Sequence, residues 1–136
     1  MKNYSVDFWR LFTQPVSKFS ILLAGIYSFM WGTWVFSPFW DAFSISPIYS
    51  VMDGTGSELG WGLVQMVVGV YLILSSLGQV KSIKWATFAG FMSWSLIAMS
   101  FAISTPLGPG MWVAGYIAST NAYFYLNTIM TDKISD

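Results

Sequence analysis

The chain has no cysteine and no histidine, and its 136 residues include only six basic and six acidic side chains. Without cysteine there is no disulfide framework, thiolate metal site or cysteine nucleophile. Without histidine the commonest general base and metal ligand is missing as well. The charges cancel, so no basic footprint argues for a nucleic-acid partner. No Walker A, GxGxxG, HExxH, EF-hand or CxxC pattern occurs either. From this inventory no enzymatic activity, cofactor or metal is expected. What the chain has in quantity is apolar: 55% hydrophobic and 19% aromatic residues against 9% charged leave too little polar surface to coat a water-soluble domain.

The stretch 19–39, FSILLAGIYSFMWGTWVFSPF, holds no charge and is long enough for a hydrocarbon core that needs about 20 apolar residues. Three more segments of this kind follow, at about 59–80, 85–103 and 111–130. The expected fold is therefore all-α and integral to a membrane, a four-transmembrane-helix bundle over residues 19–130. Residues 1–18 place Phe8, Leu11 and Phe12 on one helical face, as in a short amphipathic helix lying in the interface, and residues 131–136 read as a polar tail.

Small residues recur at helical spacing in every span: Gly25 and Gly32 in the first, Gly62 and Gly69 in the second, Gly90 in the third, and Ala114, Gly115, Ala118 and Ala122 in the fourth. Such stripes let helix backbones approach closely in lipid, so these are the expected packing positions. Gln65 shares the stripe of the second span, and Asn121 lies midway along the fourth. An amide facing lipid is costly, so both are expected inside, as interhelical hydrogen bonders together with Ser93. Trp94, near mid-span, needs a partner for its indole N–H, either Gln65 or a facing serine.

Between the first two spans lies a connection too apolar for a free loop, expected to fold back on the bilayer surface or cap the bundle. It carries Asp41, Asp53 and Glu58, an outer acidic loop that reads either as a solvated surface with Ser57 or Glu58 at a helix N-terminus, or as a cation-attracting vestibule. Trp34, Trp40, Trp61, Trp85 and Trp112 fall near span ends, where indoles settle at the headgroup level. All six basic residues fall before the first span, between the second and third, or after the fourth, which places both termini in the cytoplasm.

The run WGTWVFSPFWDAFSISPIYSVM and the following LGWGLVQMVVGVYLIL resemble small four-helix membrane proteins of unassigned function from tailed bacteriophages and prophages. That resemblance implies a bacterial inner-membrane setting and carries over no functional residues. Size and span count are also similar to those of DoxX-like membrane proteins. The expected role is a non-enzymatic membrane protein that self-associates, holin-like or exclusion-like, with the lipid bilayer and further copies of itself as partners. An accessory subunit of a larger membrane complex is the alternative. A third reading is a binder or carrier of a lipophilic molecule such as a quinone.

Overall fold

The computed structural model describes residues 17–37, 42–45, 47–78 and 83–134, and the side chains of all of these except 42, 45, 48 and 132–134. Most of the expected interfacial segment 1–18 lies outside the described residues, as do Trp40, Asp41 and Lys81. Every regular element among the described residues is a helix. The long ones are α1 (Lys18–Phe36), α4 (Glu58–Ser76), α5 (Ile83–Ser104) and α6 (Pro109–Ile134). Between α1 and α4 run the short helices α2 (Ala42–Ile45) and α3 (Ser50–Thr55), with a 3-10 turn, Pro47–Tyr49, between them.

Local chemistry sets the ends. Helix α1 stops at Phe36 and not at the expected residue 39, because Ser37 precedes Pro38 and is held extended at φ −63° and ψ 129°. Helix α4 opens on Ser57, whose hydroxyl oxygen accepts the Gly60 N–H at 3.1 Å. It closes at Ser76, short of the expected residue 80, with Leu77 donating its N–H to the Ile73 carbonyl and Gly78 turning out at φ +76°. A left-handed Leu107, at φ +65°, makes the tight turn from α5 to α6, and Pro109 begins the new helix where its missing N–H costs nothing. Helix α6 then runs to Ile134, so residues 131–134 of the expected polar tail continue the helix.

The long helices pack as two antiparallel hairpins, α1 with α4 and α5 with α6, joined through α4 against α5, while α1 and α6 barely touch. Three of them, α1, α4 and α5, are long and apolar enough to cross a membrane. Their outward faces are apolar, with Leu23, Met30, Leu63, Val67, Leu96 and Met99 all exposed. Polar side chains take the interior: Ser28, Gln65, Ser75, Thr87, Asn121 and Asn127 are buried. Two apolar clusters flank them, Ile21, Val68, Leu72, Ala86 and Phe124 toward the Lys18 end, and Val35, Trp94, Ile97, Phe101 and Ala114 with Phe43 and Met52 toward the other.

Candidate functional site: the polar interior and two grooves

The α1–α4 contact is built on four glycines spaced seven apart on each helix, Gly25 opposite Gly69 and Gly32 opposite Gly62. A Cβ on Gly32 would lie 2.6 Å from the Met66 backbone nitrogen, and one on Gly69 would lie 2.5 Å from that of Phe29. The two backbones therefore touch with no side chain between them. Gly90 serves differently, since a Cβ there would strike the Asn121 Oδ1 at 2.6 Å. Ala114 and Ala118 are buried against the outer apolar cluster. At Gly115 nothing among the described residues lies within 4 Å of where its Cβ would stand. It faces outward, one turn from the exposed Ser119.

Gln65 and Asn121 are buried as expected but do not bond to each other. Gln65 has no hydrogen-bond partner at either amide atom. Asn121 donates Nδ2–H back to the Ile117 carbonyl at 3.0 Å, and its Oδ1 has none. The glycine register explains the missing pair. It sets Gln65 level with Ser28 and Phe29 on α1, whereas Asn121 stands against Gly90 beside Leu72, seven residues and about 10 Å further along α4. Ser93 also turns homeward, donating to the Gly90 carbonyl of its own helix at 3.1 Å. One bond that does cross the bundle is Trp94 Nε1–H to Ser28 Oγ, at 2.9 Å, with Tyr27 and Trp31 each 5.6 Å from the indole, ring to ring. This is the facing serine that the mid-span tryptophan requires.

At the far end, the connection is tied down over the core. The Phe43 N–H donates to the Glu58 carboxylate, Trp61 Nε1–H donates to the Met52 carbonyl at 3.2 Å, and the Val51 N–H and Ser50 hydroxyl both donate to Ser104 Oγ at 3.2 Å. Met52 is fully buried as a result. Glu58 thus works as a tie at the start of α2, and Asp53, on the exposed side of α3, is the free-standing remainder of the expected acidic loop among the described residues. Trp61 is likewise a tie, half-buried, and not an outward-facing aromatic. Trp34, Trp85 and Trp112 do face outward. Tyr49 stacks on Phe43 at 5.3 Å and meets Phe101 edge-on at 5.5 Å. That burial, with a smaller contribution from Tyr27, raises its phenol above the ordinary value of 10.0.

Comparison with family models, with curated proteins and with solved structures found no match. Function must therefore come from the surface, and two features stand out. Where α1 and α6 diverge, a groove of about 940 Å³ opens sideways between them. On the outer side of α5 and α6 runs a furrow of about 610 Å³ lined by small residues, Ser95 and Ala98 from α5 with Gly115, Ala118, Ser119 and Ala122 from α6, together with the bulkier Phe91, Met99, Tyr123 and Leu126. Ser28, Ser104 and Met52, which organise the interior and the cap, carry no sequence signal beyond small size or apolarity. Only a partner's unmet need, such as the indole of Trp94, points to them.

Proposed function

We propose that this chain is a four-span, non-enzymatic membrane protein of a bacterial inner membrane, with both termini in the cytoplasm, that self-associates through the α5–α6 furrow. The carrying observation is Gly115. A glycine inside a helix costs about 1 kcal/mol relative to alanine, and at Gly25, Gly32, Gly62 and Gly69 a crossing backbone accounts for it. At Gly115 no such neighbour exists among the described residues. A helix from a second copy seated along Gly115, Ser119 and Ala122 would make the same kind of contact that α1 makes with α4. The membrane setting is supported by apolar outward faces around a polar interior, and the phage-type setting by the sequence resemblance alone.

Native mass spectrometry from mild detergent tests this reading. A discrete homo-oligomer that falls to monomer in Gly115→Leu supports it, and the Cβ that the substitution adds has nothing within 4 Å among the described residues. A wild-type monomer refutes self-association, and a stoichiometric foreign subunit points to the accessory role. Dye leakage from cells on induction separates a holin-like activity from an exclusion-like one.

A further inference from the structure

The two hairpins are fastened more firmly within themselves than to each other. Inside the first, backbone meets backbone at Gly25, Gly32, Gly62 and Gly69, so α1 and α4 form one stiff body. Inside the second, α5 and α6 pack together from the tight turn at Leu107. The joint between the hairpins is thinner: α4 lies against α5, and α1 and α6 stand apart across the sideways groove.

The unmet polar atoms sit on that joint. Leu72 Cδ1 lies 3.4 Å from where a Cβ on Gly90 would stand, which marks the face of α4 turned to α5. Gln65, two turns before Leu72, and Ser75, one turn after it, share that face and not the glycine stripe. Both amide atoms of Gln65 and the hydroxyl of Ser75 are buried without a partner. The Asn121 Oδ1 is in the same condition, where α6 meets Gly90 beside Leu72. These groups form a series in depth. Ser75 is next to the end of α4 near Lys18, Asn121 is level with Leu72, and Gln65 lies about 15 Å further in than Ser75.

Beyond Gln65 the joint is dry and bolted. The Trp94–Ser28 bond spans it, the apolar cluster of Val35, Ile97 and Phe101 fills it, and Ser104 of α5 holds Ser50 and Val51 of the connection. Buried polar groups without partners favour an arrangement that hydrates them, and the Lys18 end is where the joint can supply one.

We propose that the hairpins part at the Lys18 end, pivoting on the outer ties, and that the crevice so formed admits water as far as Gln65 while the outer half stays shut. The fold is thus a gate that opens toward one side of the membrane, and the arrangement described above is its closed state. The proposal rests on the membrane reading above and does not require self-association.

The test is spin-label distance measurement on the full chain in lipid nanodiscs, diluted with unlabelled chain so that only distances within one copy are read. The chain has no cysteine, so each pair is introduced at two exposed positions. Phe19→Cys with Leu126→Cys, across the joint at the Lys18 end, should give two distances. Phe19→Cys with Leu74→Cys, within one hairpin, and Leu59→Cys with Ile103→Cys, across the joint at the outer end, should each give one. Gln65→Leu removes the deepest amide at similar volume and should lower the open-to-closed ratio about tenfold. Leu72→Cys, buried in the joint, should react with a small water-soluble thiol reagent about tenfold more slowly when Gln65→Leu is added. Ile97→Cys, in the outer half, should react in neither background. A single Phe19–Leu126 distance with an unreactive Leu72→Cys overturns the gate and leaves the membrane reading intact. So does an open-to-closed ratio that Gln65→Leu leaves unchanged, or a Leu59–Ile103 distance that spreads as widely as the Phe19–Leu126 one. Failure of the chain to incorporate into nanodiscs overturns both.

Discussion

Replacing Gly32 with alanine should push α1 away from α4. The added methyl would stand 2.6 Å from the Met66 nitrogen, 2.7 Å from the Gly62 oxygen and 2.8 Å from Met66 Cγ, where ordinary contact begins near 3.4 Å. The first two are backbone atoms that cannot rotate aside, so the helices must part by roughly 0.8 Å along the crossing. Alanine gains about 1 kcal/mol of helix propensity at this position. Overpacking of this kind costs about 1–3 kcal/mol, and the separation also loosens the contact at Gly25 and Gly69. The net expectation is a loss of about 1–2 kcal/mol.

Gly115→Ala is the matched control, because it keeps the propensity gain and meets nothing within 4 Å. It should stabilise the monomer by about 1 kcal/mol, so the two variants should differ by about 2–3 kcal/mol, roughly thirtyfold to a little over a hundredfold in unfolding constant. Unfolding by denaturing detergent, followed by far-ultraviolet circular dichroism at a concentration where the protein is monomeric, reads both values. A Gly32→Ala variant that matches or exceeds wild type, or that shifts in the same direction as Gly115→Ala, refutes the close crossing.

The same assay checks the interior. Ser28→Ala strands the buried Trp94 indole N–H and should cost about 1–3 kcal/mol, and adding Trp94→Phe should cost less than the sum of the two single changes. Gln65→Leu removes an amide without partners at similar volume and should stabilise by about 1–2 kcal/mol; a destabilised variant would mean that the amide is satisfied. The Tyr49 phenol ionises at higher pH when folded than its ordinary 10.0, so the unfolded chain loses that proton first and stability falls as pH rises past 10. Tyr49→Phe should flatten that part of the wild-type profile, and an unchanged slope assigns it to other groups.

The glycines and the all-helical class were legible because helical periodicity survives into packing. Gly25, Gly32, Gly62 and Gly69 carry their partner's position in their spacing, since seven residues on one helix match seven on the other. Burial of Gln65 and Asn121 was legible too, from the cost of exposing an amide to an apolar medium. Their pairing was not, because register along the helix axis depends on how the glycine contacts slide together, and no single helix records it. At Gly115 a small residue marks a close approach without saying whether the neighbour belongs to the same chain. The roles of Glu58 and Trp61 as ties depended on how α2 and α3 fold over the core, a question of three-dimensional closure that charge and aromatic content leave open.

Helix α6 is not among the three helices long and apolar enough to cross a membrane, yet its chemistry suits one. Its 26 residues span about 39 Å, more than a hydrocarbon core of about 30 Å. What lowers its hydropathy is a series of hydroxyls and amides, and these are largely turned back on the helix itself. Ser119 donates to the Gly115 carbonyl at 2.8 Å, Thr120 to Tyr116 at 2.9 Å, Asn121 to Ile117 at 3.0 Å, Thr128 to Phe124 at 2.8 Å and Thr131 to Asn127 at 3.0 Å. A hydropathy scale charges each of these groups for leaving water unpaired, but a hydroxyl bonded to its own helix loses only a fraction of that. If α6 crosses the bilayer with the other three, a cysteine placed at Gly108 and one placed at Ser135 of this cysteine-free chain should react with membrane-impermeant thiol reagents from opposite sides. Reaction of both from one side would mean that α6 lies along the surface, and the self-association furrow would then face water instead of lipid.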